Sequence, residues 1–214
     1  HDPFCVLGRH PVDDGVVVRA FVPHAAEVTI AENGLAMERY PGTDLFEWQG
    51  SAATVPEHYR LIWRDAGHRE HIAHDPYTYL PQLSEFDLHL FHEGKHRHAY
   101  DFLGAHEHVV DDVAGVLFAV WAPNAERVSV VGDFNRWDGR SHPMRVRAGS
   151  GVWELFVPDI GPGSYYKFEV RNRESHQILL KSDPYGQRFE VRPSTASIVT
   201  PRADYPWTDA AWIA

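Results

Sequence analysis

The feature that most constrains this chain is an internal repeat with a period of about 100 residues, because a self-similar sequence folds as two copies of one unit. Leu7-Gly8-Arg9-His10 recurs as Leu103-Gly104-Ala105-His106. Each copy runs into an acidic, glycine-bearing segment, Asp13-Asp14-Gly15 and Asp111-Asp112-Val113-Ala114-Gly115. Val16 to Phe21, followed by Val22-Pro23 and the run to Ile30, is matched by Val116 to Trp121, followed by Ala122-Pro123 and the run to Val130. Each copy then has a tryptophan segment (Phe46-Glu47-Trp48; Val152-Trp153-Glu154) and a tyrosine segment (Tyr59 to Trp63; Tyr165 to Val170), and closes on Asp-Pro-Tyr at 75–77 and 183–185.

The unit is a β-structure. Its runs are short, rich in β-branched and aromatic residues, and alternate with period two around Val130, Val157, Phe168 and Val170. Gly149-Ser150-Gly151 and Gly161-Pro162-Gly163 punctuate them. The fold class predicted is all-β, two tandem immunoglobulin-like β-sandwich modules joined by a short helical connector. Ser84 has the character of an N-cap with Asp87 three residues on, Leu88 and Phe91 share a helix face, and Gly94 fits the position just past the end. The division expected is residues 1–82, a connector over 83–102, a second sandwich over 103–200 and a tail over 201–214.

Composition narrows the function classes. Hydrophobic residues make up 43% and charged residues 23%, a globular balance, and no apolar run is long enough to span a membrane. A formal charge of −10 with no cluster of lysine or arginine argues against nucleic acid and favours a neutral ligand. No secretory leader is recognisable after His1, and Cys5, the single cysteine, has no partner for an intrachain disulfide, so a cytoplasmic location is expected. Fifteen histidines would carry the charge past zero if all were protonated.

No catalytic constellation stands out. There is no nucleophile elbow, phosphate loop, dinucleotide turn or paired-histidine zinc motif. Asp13-Asp14 and Asp111-Asp112 sit where hairpin turns are expected, so they read as turn chemistry rather than a glycosidase pair. His89, His92, His96 and His98 cluster near the connector, yet Gly94 breaks their shared face and no thiolate completes a metal set. No catalytic residue, cofactor or metal is therefore expected.

The sharpest local feature is Gly132-Asp133-Phe134-Asn135-Arg136-Trp137-Asp138-Gly139. Its glycines and Asx residues mark a turn, yet it carries two aromatics. An indole in such a loop can lay its flat face on a pyranose ring while neighbours such as Asn135 take hydroxyls. The alternative, packing onto the loop's own sandwich, weighs evenly for Trp137 and more heavily for Phe134. Lys167, between Tyr166 and Phe168, reads either as a snorkelling edge lysine or as a donor to sugar oxygens.

With these residues assembled, the second half resembles the family 48 carbohydrate-binding module of α-glucan-active enzymes. The resemblance rests on Phe118-Ala119-Val120-Trp121-Ala122-Pro123-Asn124-Ala125, Gly132 to Trp137, Tyr166-Lys167-Phe168-Glu169 and Lys181-Ser182-Asp183-Pro184-Tyr185. The first half, through Asp2 to His10 and Phe86 to Gly94, resembles the extra N-terminal module that precedes it in many bacterial glycogen branching enzymes. Tyr205 to Trp212 resembles the lead-in to a family 13 catalytic barrel. The resemblance implies α-1,4-glucan and the catalytic domain of the same polypeptide as partners, with sugar contacts at Trp137, Lys167 and Asn135. Trp207 and Trp212 are expected as interdomain contacts, and Trp121 and Trp153 as buried in the second sandwich. In sugar-binding relatives a second tryptophan follows in the next loop; Asn172 to His176 has none here. A stand-alone glycogen-binding scaffold, and the accessory modules of a debranching isoamylase or trehalohydrolase, are the alternatives.

Overall fold

A computed structural model describes residues 2–65, 67–147 and 149–201. Two antiparallel sandwiches follow one another along the chain. In the first, one sheet has the order β1 (Gly8–Val12), β2 (Gly15–Phe21), β6 (Leu45–Gly50), β5 (Glu38–Arg39); the facing sheet has the order β4 (Leu35–Ala36), β3 (Ala25–Ile30), β7 (Arg60–Asp65), β8 (Glu70–His74). In the second, β9 (Gly104–Val110), β10 (Val113–Trp121), β13 (Val152–Pro158) and β12 (Arg145–Arg147) form one sheet. The other is built from β11 (Ala125–Gly132), β14 (Tyr165–Asn172), β17 (Ser197–Ile198) and β16 (Arg188–Phe189), with β15 (Ile178–Lys181) also on β14.

The textual repeat is a structural one, down to irregularities. The β3–β7 pairing slips between Ala25 and Glu27, and the β11–β14 pairing slips between Ala125 and Arg127. Met37 N–H donates to Val28 O at 2.9 Å, and Met144 N–H to Val128 O at 2.8 Å. The carboxylate pairs fall at the β1–β2 and β9–β10 hairpin turns, as turn chemistry requires, with Asp111 and Asp112 both at positive φ.

Each copy is closed by the same buried polar knot. Tyr59 Oη donates to Asp75 Oδ2 at 2.5 Å and Tyr166 Oη to Asp183 Oδ2 at 2.7 Å. The second carboxylate oxygen accepts from the backbone two residues on, Tyr77 N–H at 3.0 Å and Tyr185 N–H at 2.8 Å. Both aspartates are buried. The Leu-Gly-x-His segment packs on this knot: His10 Nε2 lies 2.8 Å from Leu7 O and His106 Nε2 3.0 Å from Leu103 O. The glycines are needed because φ is +92° at Gly8 and +110° at Gly104, and a Cβ on Gly8 would stand 2.5 Å from Tyr77 O. So the two most recognisable motifs of each repeat, distant in sequence, are halves of one device.

The connector is more than a tether. Helix α1 (Glu85–His92) starts at Ser84, whose Oγ accepts from Asp87 N–H at 3.1 Å, and Gly94 follows its end at φ +67°. Leu83, Leu88 and Phe102 bury against the outer face of the β10–β13 pair, together with Leu117, Ala119, Val152 and Phe156. Residues of the other parity, Val116, Phe118, Val120, Trp153, Leu155 and Val157, face the inner core. This explains a departure from expectation. Trp153 is buried at 6% exposure, but Trp121 is 54% exposed, because it has the outward parity of Leu117 and Ala119. There it meets the edge of Phe91, 6.1 Å away between ring centres, and Gly151.

The connector also holds a buried charge. Glu154 accepts from Gln82 N–H at 3.1 Å and Leu83 N–H at 2.9 Å, and Arg147 approaches both of its oxygens at 3.2 Å while donating to Leu83 O at 2.7 Å. The first sandwich is fused on as well. Leu7 and Tyr77 belong to the same apolar cluster as the second core, and the Arg145 guanidinium lies 3.2 Å from the centre of the Phe4 ring.

Burial pushes the Asp75 carboxyl up to about 6, against the opposing hydrogen bonds from Tyr59 and Tyr77. A folded-state value above the unfolded one favours the native state at low pH, and that contribution is lost as pH rises through about 6. Asp75→Asn removes the titration. The stability difference between variant and parent should therefore move toward the variant by about 2 kcal/mol from pH 4 to pH 7, read by urea unfolding at each pH. A difference that does not change with pH would refute the assignment.

Candidate functional site

The two copies differ most between β11 and the segment that pairs back to it. In the first sandwich β3 reaches β4 through residues 31–34, whereas in the second the equivalent return, an isolated bridge between Ser129 and Pro143, comes only after residues 133–142. That extra stretch contains the aromatic loop.

The loop is built around Asn135. Its Oδ1 accepts from Gly132 N–H at 2.9 Å; its Nδ2 donates to Val130 O at 2.9 Å and lies 2.8 Å from His142 Nδ1. Asn135 is buried. The expectation that its amide faces a sugar is thus corrected: both ends of the amide are committed within the fold. Burial holds the His142 imidazole down to about 4, which suits a ring nitrogen that accepts from Asn135 rather than donating. Phe134 packs onto the core beside Phe118 and His142, in line with its core reading.

Trp137 stays on the surface, at 37% exposure. Its backbone N–H donates to Gly132 O at 2.9 Å and its indole Nε1–H to Asp133 Oδ1 at 2.9 Å. Arg136 and Trp137 are consecutive left-handed residues, φ +57° and +61°, a conformation uncommon outside glycine. The loop then returns across the outer face of the sheet, with Gly139 against the Glu169 carboxylate. Lys167, two residues before Glu169 on β14 and opposite Val131, shares that face and donates from Nζ to Thr195 Oγ1 at 2.7 Å. Trp137 is thus left partly exposed on the loop and Lys167 points outward from β14, while Asn135 is buried within the loop. Trp207 and Trp212 lie outside the described residues.

Reading the sequence missed the loop's outside partners. Arg136 donates to Asp65 Oδ2 at 2.5 Å and lies 3.0 Å from His71 Nε2. Arg140 reaches Asp44 at 3.5 Å and His24 Nε2 at 3.0 Å. All four of these partners belong to the first sandwich, and no local pattern joins residues so far apart. The histidines near the connector have partners too: His96 lies 3.0 Å from Asp87 and His89 3.6 Å from Glu93. Among the described residues no three histidine, cysteine, aspartate or glutamate side chains are grouped to hold a metal, and no helix is long and apolar enough to cross a membrane.

Tandem immunoglobulin-like sandwiches, the second with a surface tryptophan in its aromatic loop and an outward lysine on β14, have the form of an accessory region of the carbohydrate-binding class. Comparison with known proteins agrees. Residues 102–186 match the family model for carbohydrate-binding module 48 (isoamylase N-terminal domain), and residues 1–77 match that for the alpha-1,4-glucan branching enzyme GlgB N-terminal domain. The chain is 58% identical over 214 residues to the 1,4-alpha-glucan branching enzyme GlgB of Methylococcus capsulatus, covering 100% of this chain and 29% of that one. It is 56% identical over 213 residues to that of Nitrosococcus oceani, covering 99% and 28%. The chain thus carries, in order, a GlgB N-terminal domain and a carbohydrate-binding module 48, and spans under a third of the relatives it matches.

Asn135→Ala should strip three polar contacts from the loop's interior and cost about 1–3 kcal/mol. Urea denaturation measures this; a loss below the error of the method would mean that the loop holds its shape without the amide.

Proposed function

We propose that this chain is the non-catalytic part of a 1,4-α-glucan branching enzyme, which makes α-1,6 branches in glycogen, and that it supports the catalytic domain and binds α-1,4-glucan at Trp137 and Lys167. The observation that carries the sugar site is that the indole of Trp137 is exposed although its backbone and its Nε1–H are both engaged. A fixed, partly exposed aromatic plane is suited to stacking on a pyranose face, and the Lys167 ammonium, outward on β14, is a donor for hydroxyls. Asn135 shapes the loop and does not touch sugar. The modules run over 1–82 and 103–200, with 83–102 the connector. An absence of disulfides at the one cysteine, exposed Cys5, suits the cytoplasm, where glycogen is made.

A single indole gives a weak site, with a dissociation constant of about millimolar, or ~4 kcal/mol. Trp137→Ala should lose about 1–3 kcal/mol of maltoheptaose binding. Ligand-observed NMR titration tests it, and equal affinity for variant and parent would remove the site from this loop.

The bond chemistry of such an enzyme needs carboxylates facing each other across the sugar about 5 Å apart, and the exposed acid pairs here are spent on hairpin turns. The purified 214-residue chain should leave the reducing ends and iodine colour of amylose unchanged over a buffer control. Turnover would overturn the non-catalytic assignment.

A further inference from the structure

We infer that the first sandwich is a positioning clamp for the sugar-binding loop of the second: Asp65, itself held by His71, holds Arg136, Asp44 and His24 hold Arg140, and the two arginines fix Trp137 between them. This rests on the sugar site proposed above and assigns the first module a part in it.

Asp65 is a prepared anchor. Its Oδ1 accepts from Gly67 N–H at 2.9 Å and Arg69 N–H at 3.0 Å, both in its own β7–β8 turn, so the carboxylate is oriented before any contact with the loop. That leaves Oδ2 for Arg136, at 2.5 Å, and for His71 Nε2, at 3.1 Å. His71 is itself held, stacked on Trp63 with ring centres 5.3 Å apart. These bonds, that from His71 foremost, keep the Asp65 carboxyl well below the usual carboxylate range. The Asp65 side chain is 13% exposed while that of Arg136 is 57% exposed: a held carboxylate on one module receives an exposed arginine from the other.

The second hold has the same form. Arg140 closes on its own loop through Asp138, at 2.8 Å, and projects outward to Asp44 and His24. The strands that end at Asp65 and begin after Asp44 belong to opposite sheets of the first sandwich, so the loop is gripped from two directions. What lies between is the stretch that most needs outside support. Arg136 and Trp137 are consecutive left-handed residues, which local preference alone holds poorly. Within the loop, the Gly132–Trp137 backbone bond and the Asp133–indole bond hold Trp137 directly. Ordering an aromatic platform before the ligand arrives lowers the entropy lost on binding.

The test uses the 214-residue chain with Asp65→Asn and, separately, Arg136→Ala, which removes a mostly exposed side chain and spares the first module's own turn. Amide hydrogen exchange of residues 133–140, the exchange of the Trp137 indole N–H, and the maltoheptaose dissociation constant are measured for each, with the melting temperature as a control on folding. Both variants should speed exchange in the loop but not in β14. Both should raise the dissociation constant about two- to fivefold, the size of effect an exposed ion pair can have. Loop exchange unchanged in both variants overturns the clamp. Faster exchange with an unchanged dissociation constant overturns its role in binding. If Trp137→Ala binds maltoheptaose like the parent, it is the sugar site that fails, and the clamp is judged on exchange alone.

Discussion

The β10–β13 strand pair is buried on both faces, and everything else is arranged around that constraint. Its inner face closes the second sandwich, as in any such fold, but its outer face is apolar too and needs a cover. Residues 79–103 provide it, and the cover is tied down by a carboxylate that would be very costly to leave unpaired. Glu154 sits on that outer face, and two backbone N–H groups and Arg147 satisfy it. Removing one partner of such a buried pair costs about 3–5 kcal/mol, so the connector's path is fixed rather than free. With the connector fixed, Tyr77 and Tyr79 just before it are seated against the second sandwich: Tyr77 Oη donates to Pro143 O at 3.2 Å, and Tyr79 O accepts from Arg145 at 2.5 Å. The two copies of the repeat are thereby fused into one body.

Fusion gives meaning to the difference between the copies. Duplication supplies two equal frames, each closed by the same tyrosine–aspartate knot and the same glycine approach. Only the second frame carries the long return between β11 and Pro143. The first frame lies alongside that return and offers it carboxylates and imidazoles. His58 against Asp111, at 2.9 Å, and His74 against Asp159, at 3.0 Å, extend the same polar seam. One copy presents the loop, and the other meets it with Asp65 against Arg136 and Asp44 against Arg140.

Much of this was legible in the sequence. The repeat, the all-β class, the turn role of Asp13-Asp14 and Asp111-Asp112 and the helix from Ser84 to Gly94 all follow from local rules: period-two alternation, capping chemistry and turn preference act over a few residues and leave their mark in the text. So does the loop, because aromatics in a run of glycine and Asx residues stand out. Three things were not legible. The exposure of Trp121 depended on which face of β10 the connector covers and how far along it the helix reaches. The burial of Asn135 depended on Val130 and His142, which converge on it only once the loop has folded. The grip on Arg136 joins residues 71 apart, through charges that look like ordinary surface residues in either segment. Local periodicity fixes which residues turn inward within one strand, but which surfaces then meet is set by packing between elements distant in the chain, and that only the tertiary structure decides.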